Sequence, residues 1–241
     1  MGGRVFNPPD SQSPARGLEI RAPKCPCGAC ATVCDRKALA IKGADMTLQH
    51  VLDEVIRDKH FYDASGGGVT LSGGEPMARF EFTKALLAEC RRLKIHTALE
   101  TCGFAPVERF DEIAPFTDLF LYDIKGVEPT KHLAHTGVSN DLILSNLRHL
   151  HDTGASIILR CPLVPGLNDS DEDLRALAEL EQSLPRLLGV EIMPYHRMGV
   201  EKGRRVGMNI PLDAPSATAE QQAAWLEKLR SFGSISVSEQ H

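Results

Sequence analysis

The 241-residue sequence predicts an α/β fold built on a parallel sheet that is closed, or partly closed, into a barrel. Three observations predict it. Short apolar runs alternate with stretches of helical period over most of the chain. Both kinds of segment have the lengths expected of successive strand and helix units. Each apolar run also ends on glycine or polar residues, the end at which such barrels place their chemistry.

The elements follow in order. Residues 1–24 are rich in Pro, Gly, Ser and Arg without periodicity, so they are expected to be a mobile leader that adds little to the core. Residues 25–46 form a cysteine-bearing loop, and residues 47–241 the barrel. Leu48, Val51, Leu52, Val55 and Ile56 recur at helical spacing behind a capping Thr47. Gly68 to Leu71 form a short buried strand. Phe82, Leu86, Cys90 and Leu93 mark the next helix face, which makes Cys90 a core residue, and Ile95 to Leu99 the next strand. A weakly periodic helix near Val107 to Ala114 leads to the strand Leu119 to Tyr122. Ile143, Leu147 and Leu150 mark a helix ahead of the strand Ile157 to Leu159. Ser170 with Asp173 forms a capping-box pattern before Leu174, Leu177 and Leu184, and Val190 to Met193 supply the last clear strand. Thr218 with Gln221 opens a final helix carrying Trp225, Leu226 and Leu229.

Composition narrows the function. With 42% hydrophobic and 24% charged residues the chain is ordinary for a globular protein with one main domain. A net charge of -5 argues against a nucleic-acid surface. No apolar run is long enough to span a bilayer, and residues 1–20 lack the apolar stretch of a secretory signal, so a cytoplasmic protein is expected. Of seven cysteines, four fall between Cys25 and Cys34, which in a reducing compartment points to metal or cluster binding rather than disulfides.

The polar groups at the strand ends are the stronger signal. The strands run into Ser72-Gly73-Gly74-Glu75, Glu100-Thr101-Cys102-Gly103, Asp123-Ile124-Lys125, Arg160, and Pro194-Tyr195-His196. Taken singly, a glycine pair is a turn, an Asp-x-Lys an ion pair and a histidine a structural residue. Five such groups at successive strand ends suit a zwitterionic ligand with polar sugar groups.

These motifs resemble the activating enzymes that install a glycyl radical in enzymes such as pyruvate formate-lyase. The resemblance runs from about Thr47 to Pro211 and rests on FYDASGGGVTLSGGEP, LETCGF, TDLFLYDIKG, HTGVSN, LRCPLVPGLNDS and VEIMPYHRMGVEK. It implies a partial parallel barrel of the radical-AdoMet type that binds S-adenosylmethionine. Gly73, Gly74 and Glu75 would receive the methionine amino group, since glycine lets backbone approach an ammonium and a carboxylate completes its hydrogen bonds. Lys125 would pair with the methionine carboxylate, Asp123 and His196 would lie near the ribose, and Arg160 would line the same cleft. Glu100, Thr101 and Asp123 fall where family members bind a monovalent cation, although Glu100 stands where the family often has Asp. In the family, a reduced 4Fe-4S cluster gives one electron to the sulfonium, and the resulting 5'-deoxyadenosyl radical takes a hydrogen from a glycine of the partner. The partners implied are a glycyl-radical enzyme and a one-electron donor such as flavodoxin or ferredoxin.

The cysteines depart from that pattern. The family's radical cluster is held by Cys-x3-Cys-x2-Cys, and no three cysteines here have that spacing, so no catalytic residue is assignable. The chain has Cys25-x-Cys27-x2-Cys30-x3-Cys34 followed by Asp35, whose last three cysteines resemble a bacterial ferredoxin run. Residues 25–46 are therefore taken as the remnant of a ferredoxin-like insert, with the first strand and the radical motif expected upstream of Met1. A single 4Fe-4S cluster on Cys25, Cys27, Cys30 and Cys34 is the preferred reading; tetrahedral zinc, or a loop that binds nothing, are the alternatives. Cys102 and Cys161 follow strand ends as packing or cleft-lining thiols. Two functions remain: an activating enzyme whose chemistry needs a segment missing here, or a non-catalytic AdoMet-binding or Fe-S electron-transfer protein.

Overall fold

The two capping boxes read from the sequence are both present, each at the start of a helix with an apolar face. Ser170 Oγ accepts the Asp173 N–H and the Asp173 carboxylate reaches back to the Ser170 N–H, while Thr218 and Gln221 do the same. The computed structural model describes residues 4–6, 19–21, 29–36, 45–197, 214–234 and 236–239. The described chain falls into two compact units, one of residues 1–45 and 196–215, the other of residues 46–195 and 216–241.

In the first unit, β1 (Arg4–Phe6) pairs antiparallel with β2 (Glu19–Arg21), and α1 (Ala29–Thr32) is a single turn. The β pair lies inside residues 1–24, the segment expected to be a mobile leader. Backbone pairing of three residues needs no apolar period, which is why periodicity does not reveal it. Residues 196–215, counted with the barrel in the sequence reading, group here with the first unit.

The second unit carries the sheet. In chain order its elements are α2 (Leu48–Arg57), α3 (Lys59–Ser65), β3 (Gly68–Leu71), α4 (Phe80–Arg92), β4 (His96–Thr101), α5 (Val107–Ile113), β5 (Leu119–Asp123), α6 (Pro129–Thr136), α7 (Asp141–Asp152), β6 (Ile157–Leu163), α8 (Asp171–Gln182), β7 (Gly189–Pro194), α9 (Ala219–Ser231) and β8 (Val237–Glu239). The six strands β3 to β8 lie side by side in sequence order, all parallel. Parallel neighbours cannot be joined by a tight turn, so helical connections between them follow from the direction of the strands. Among the described residues β3 and β8 are the two edges of the sheet, a partial barrel.

The core follows from the two periodicities. Phe80, Thr83, Leu86, Leu87 and Cys90 form the buried face of α4, and Cys90 packs as its apolar helix face predicts. Along β6, Ile157, Leu159, Cys161 and Leu163 are buried while the residues between them are only half-buried. Alternation of that kind gives the strand one tightly packed face and leaves Arg160 on the other. Strand β8 was not evident from the sequence. The buried Glu181 holds the approach to it, accepting hydrogen bonds from the Ser234 hydroxyl and from the Ser236 N–H at 2.9 Å.

Candidate functional site

The polar ends of β3, β4 and β5 converge because the strands run parallel in near-matched register. Leu71 lies beside Leu99, Thr101 beside Tyr122, and Asp123 beside Arg160. Just past these positions the chain leaves the sheet, and the residues that follow line a cleft of about 210 Å³: residues 72–75 and 100–102, Asp123 and Lys125.

The glycine loop comes first. Gly73 has φ of +117°, a conformation that side chains rarely adopt, and a Cβ added at Gly73 or Gly74 would meet nothing within 4 Å. The loop thus exposes backbone to open space on the cleft side. Glu75 then turns inward. Its Oε1 accepts from the Met77 N–H at 3.0 Å and the Thr101 hydroxyl at 2.8 Å, and its Oε2 from the Cys102 N–H at 2.9 Å. Through these bonds Glu75 ties the β3 loop to the end of β4.

A second set of ion pairs crosses the sheet. Glu100 accepts from Ser72 Oγ at 2.5 Å and from Arg160 Nη1 at 3.3 Å, and Arg160 Nε donates to Glu191 at 3.1 Å. The Arg160 side chain is only 14% exposed and stands behind Glu100. Lys125 Nζ lies 2.5 Å from Asp123 Oδ2, while Asp123 Oδ1 is buried and has no hydrogen-bond partner among the described residues. A buried carboxylate oxygen without a donor is costly, and at a cleft wall it marks where a ligand hydroxyl, ammonium or cation belongs.

The electrostatics select the ligand class. Glu75, Glu100 and Asp123 bring three carboxylates to the cleft against Lys125, and Arg160 behind Glu100 is shared with Glu191, so acids outnumber cations. A ligand with two cationic groups and one carboxylate complements that set. Cys102 is the thiol that lines the cleft, and burial, then the neighbouring Glu75, raise its pKa, so it is protonated at neutral pH and is a poor metal ligand or nucleophile. Cys161, left open between packing and cleft by the sequence, is buried, and burial pushes its thiol far up. A larger groove of about 380 Å³ at the start of α4 is lined by Arg79, Phe80, Phe82 and Arg109 among others. It is roomier but carries one acid, Glu81, with two arginines, and Arg109 already stacks 5.0 Å over Phe80, so the smaller cleft with its three acids is the functional candidate.

The expected site residues divide into three groups. Gly73, Gly74, Glu75, Glu100, Thr101, Asp123 and Lys125 come together at the cleft, with Arg160 reaching it through Glu100. His196 is exposed and falls in the first unit. Of the cysteine loop, Cys25 and Cys27 lie outside the described residues, Cys30 sits on α1, and Cys34 is half-buried. Among the described residues no group of three or more His, Cys, Asp or Glu side chains is placed to hold a metal ion. Glu191 was missed by the sequence reading, although a charged residue between the buried Val190 and Ile192 was the available signal for a paired acid.

Comparison with known proteins places the chain in a family. Residues 27–178 match the model of the radical SAM superfamily. The choline trimethylamine-lyase activating enzyme of Oleidesulfovibrio alaskensis is 41% identical over 186 residues, 76% of this chain and 60% of that enzyme, so the chain spans about three-fifths of that relative's length. The pyruvate formate-lyase-activating enzyme of Listeria monocytogenes is 39% identical over 193 residues, 78% of each chain. A crystallised domain of the pyruvate-formate lyase-activating enzyme from Bacteroides vulgatus superposes with a TM-score of 0.60 at 30% identity, covering 73% of this chain and 99% of that one. With the parallel sheet, the glycine loop and the acidic cleft in place, these likenesses establish that the chain belongs to the radical SAM superfamily and, within it, to the glycyl-radical-enzyme activating enzymes.

Proposed function

We propose that this chain is a glycyl-radical-enzyme activating protein whose cleft binds S-adenosylmethionine. The observation that carries the reading is the cleft's charge pattern: three acids, one of them with a buried unpartnered oxygen, around a single lysine at the mouth. The open backbone at Gly73 and Gly74, with Glu75, would receive the ligand's ammonium. Lys125 would take its carboxylate, and Asp123 Oδ1 would accept from a ribose hydroxyl. Arg160 would hold Glu100 in place. His196 near the ribose belongs to the same proposal. So does a monovalent cation at Glu100, Thr101 and Asp123; Asp123 Oδ1 is the acceptor left for it, while Glu100 shares its oxygens with Ser72 and Arg160.

When bound, S-adenosylmethionine supplies a sulfonium open to one-electron cleavage and, through it, hydrogen abstraction from a glycine of the partner enzyme. The residues present do not fit the radical cluster. The 241 residues contain no Cys-x3-Cys-x2-Cys, and among the described residues Cys102 is the one thiol that lines the cleft, where three thiolates would be needed. Cys25, Cys27, Cys30 and Cys34 are proposed to hold a separate 4Fe-4S cluster, fed by a one-electron donor such as flavodoxin or ferredoxin in the cytoplasm. Among the described residues no helix is long and apolar enough to cross a membrane.

Calorimetry with S-adenosylmethionine tests the reading. The chain is expected to bind, and Lys125→Ala, which removes a charged hydrogen-bond donor worth about 1.5–3 kcal/mol, should weaken binding at least about tenfold. With dithionite as reductant no 5'-deoxyadenosine should form. Absence of binding would move the chain to the Fe-S electron-transfer reading, and robust cleavage lost on substituting Cys25, Cys27 or Cys30 would show that the cysteine loop performs the radical chemistry.

A further inference from the structure

Lys125 stands on residues 124–128, a stretch between β5 and α6 with no helix or strand of its own. Three successive carbonyls there are each taken by a side-chain amide. Asn168 Nδ2 donates to the Lys125 C=O at 3.1 Å, and Asn140 Nδ2 donates to the C=O of Gly126 at 3.1 Å and of Val127 at 2.8 Å. Asn168 comes from the loop after β6, where it also donates to the Pro162 C=O at 2.8 Å and accepts the Val164 N–H at 2.8 Å. One side chain therefore joins the lysine's backbone to the end of β6, the neighbouring strand in the sheet.

Asn140 is the more telling of the two. It occupies the N-cap of α7, a position where an asparagine oxygen ordinarily accepts from its own helix, yet it makes no side-chain cap bond. Both its protons go to the loop, and its Oδ1, in a residue 1% exposed, has no partner among the described residues. Leaving a buried acceptor unmet costs stability. An asparagine there is explained by what it does for the loop carbonyls, not by what it does for its helix.

We propose that Asn140 and Asn168 are positioning residues that set the Lys125 ammonium for the carboxylate of the ligand's amino-acid end. The Lys125 side chain is 47% exposed and long, so packing does little to orient it. Its reach is set by where its backbone is held and by the contact with Asp123 Oδ2. The inference rests on the reading that the cleft takes S-adenosylmethionine with Lys125 at the carboxylate.

The test compares two ligands on the full 241-residue chain by calorimetry. 5'-Methylthioadenosine keeps the nucleoside and sulfur of S-adenosylmethionine but has no amino-acid end, so Lys125 has nothing to pair with. Asn168→Ala and Asn140→Ala should each weaken S-adenosylmethionine about three- to tenfold and leave 5'-methylthioadenosine within about twofold. Added to Lys125→Ala, either should have no further effect, since residues acting through one group are not additive. The asparagines come from separate elements, so one serves if the other variant fails to fold, and the cycle with Lys125→Ala decides if the truncated ligand binds too weakly to measure. A wild-type chain that binds neither ligand removes the site reading and the inference with it. If the wild type binds and Lys125→Ala weakens it, the site reading stands. Asparagine variants that then weaken both ligands alike, or neither, or that keep their full effect without Lys125, overturn the positioning role alone.

Discussion

At the residue scale, the turn that follows the cleft residues of β4 depends on a contact between Gly103 and Tyr122. Gly103 has φ of +74° at the end of β4, and a Cβ there would run into the buried hydroxyl of Tyr122, which donates to the Ile143 carbonyl at 2.7 Å. Gly103→Ala combines backbone strain with overpacking and should destabilise by about 2–4 kcal/mol, whereas Tyr122→Phe, which removes one buried hydrogen bond, should cost about 1–2 kcal/mol; urea unfolding of the two variants checks the order. Tyr122 is also part of an alkaline sensitivity. Burial raises the pKa of Tyr122, Cys90, Cys102 and Cys161. Each is an acid that the unfolded chain gives up first, so their contribution is complete below the unfolded values and is lost as pH rises above about 8.5–10. Thermal melts under reductant should fall steadily from pH 8 upward, and Tyr122→Phe should flatten the decline.

At the scale of elements, helices α6 and α8 are linked by one cation. Lys131 on α6 donates to Asp173 on α8 at 2.8 Å, and Asp173 in turn completes the capping box with Ser170. Burial works to raise the Asp173 pKa, but the Lys131 ammonium and the Ser170 hydroxyl outweigh it and hold the carboxyl below its ordinary value. The stability it confers is therefore present above the ordinary aspartate value and lost as pH falls through the depressed one. Lys131→Met should move the Asp173 titration upward in an NMR pH series and shift the acid limb of unfolding to higher pH. Ser170→Ala removes the cap itself and should cost about 1 kcal/mol, a melting shift of roughly 2–4 °C. The cap of α6 behaves in the same direction, since Glu128 accepts from the N–H groups of Lys131 and Thr130, which lowers its pKa.

For the whole molecule, the ligand cleft and the cluster loop proposed above draw on different residues, which makes the two readings separable by experiment. Anaerobic reconstitution with iron and sulfide should give a brown protein with about four irons per chain. Cys34→Ala should impair that loading while leaving S-adenosylmethionine affinity nearly unchanged, and Lys125→Ala should do the reverse. Zinc carried through purification, with no iron uptake, would assign the loop to a structural zinc site. Glu75→Gln should disturb both fold and ligand, because its carboxylate holds Thr101 and Cys102 as well as facing the cleft; a lowered melting temperature together with weaker binding is the expected pair of readings.

Local pattern by itself determined a good part of this protein. The five strands from Gly68 to Pro194, the helix faces on Leu86 and Leu147, both capping boxes and the cleft residues from Gly73 to Lys125 could all be read from the sequence. A strand's apolar run and the polar residues that end it are neighbours in the chain, so their order is visible without a fold. Helix α3 has no buried residue and α6 buries only His132, so neither leaves an apolar stripe to read, although Pro129 behind Glu128 was an available start signal for α6. The rest was decided by tertiary structure. Register alone sets Asp123 beside Arg160, and with it the chain of contacts from Ser72 through Glu100 and Arg160 to Glu191. Glu75 spending its oxygens on β4, Glu181 holding the approach to β8, and the two asparagines gripping the Lys125 loop are bonds between residues far apart in sequence. Such partners are chosen by strand order and helix packing, which no local period encodes.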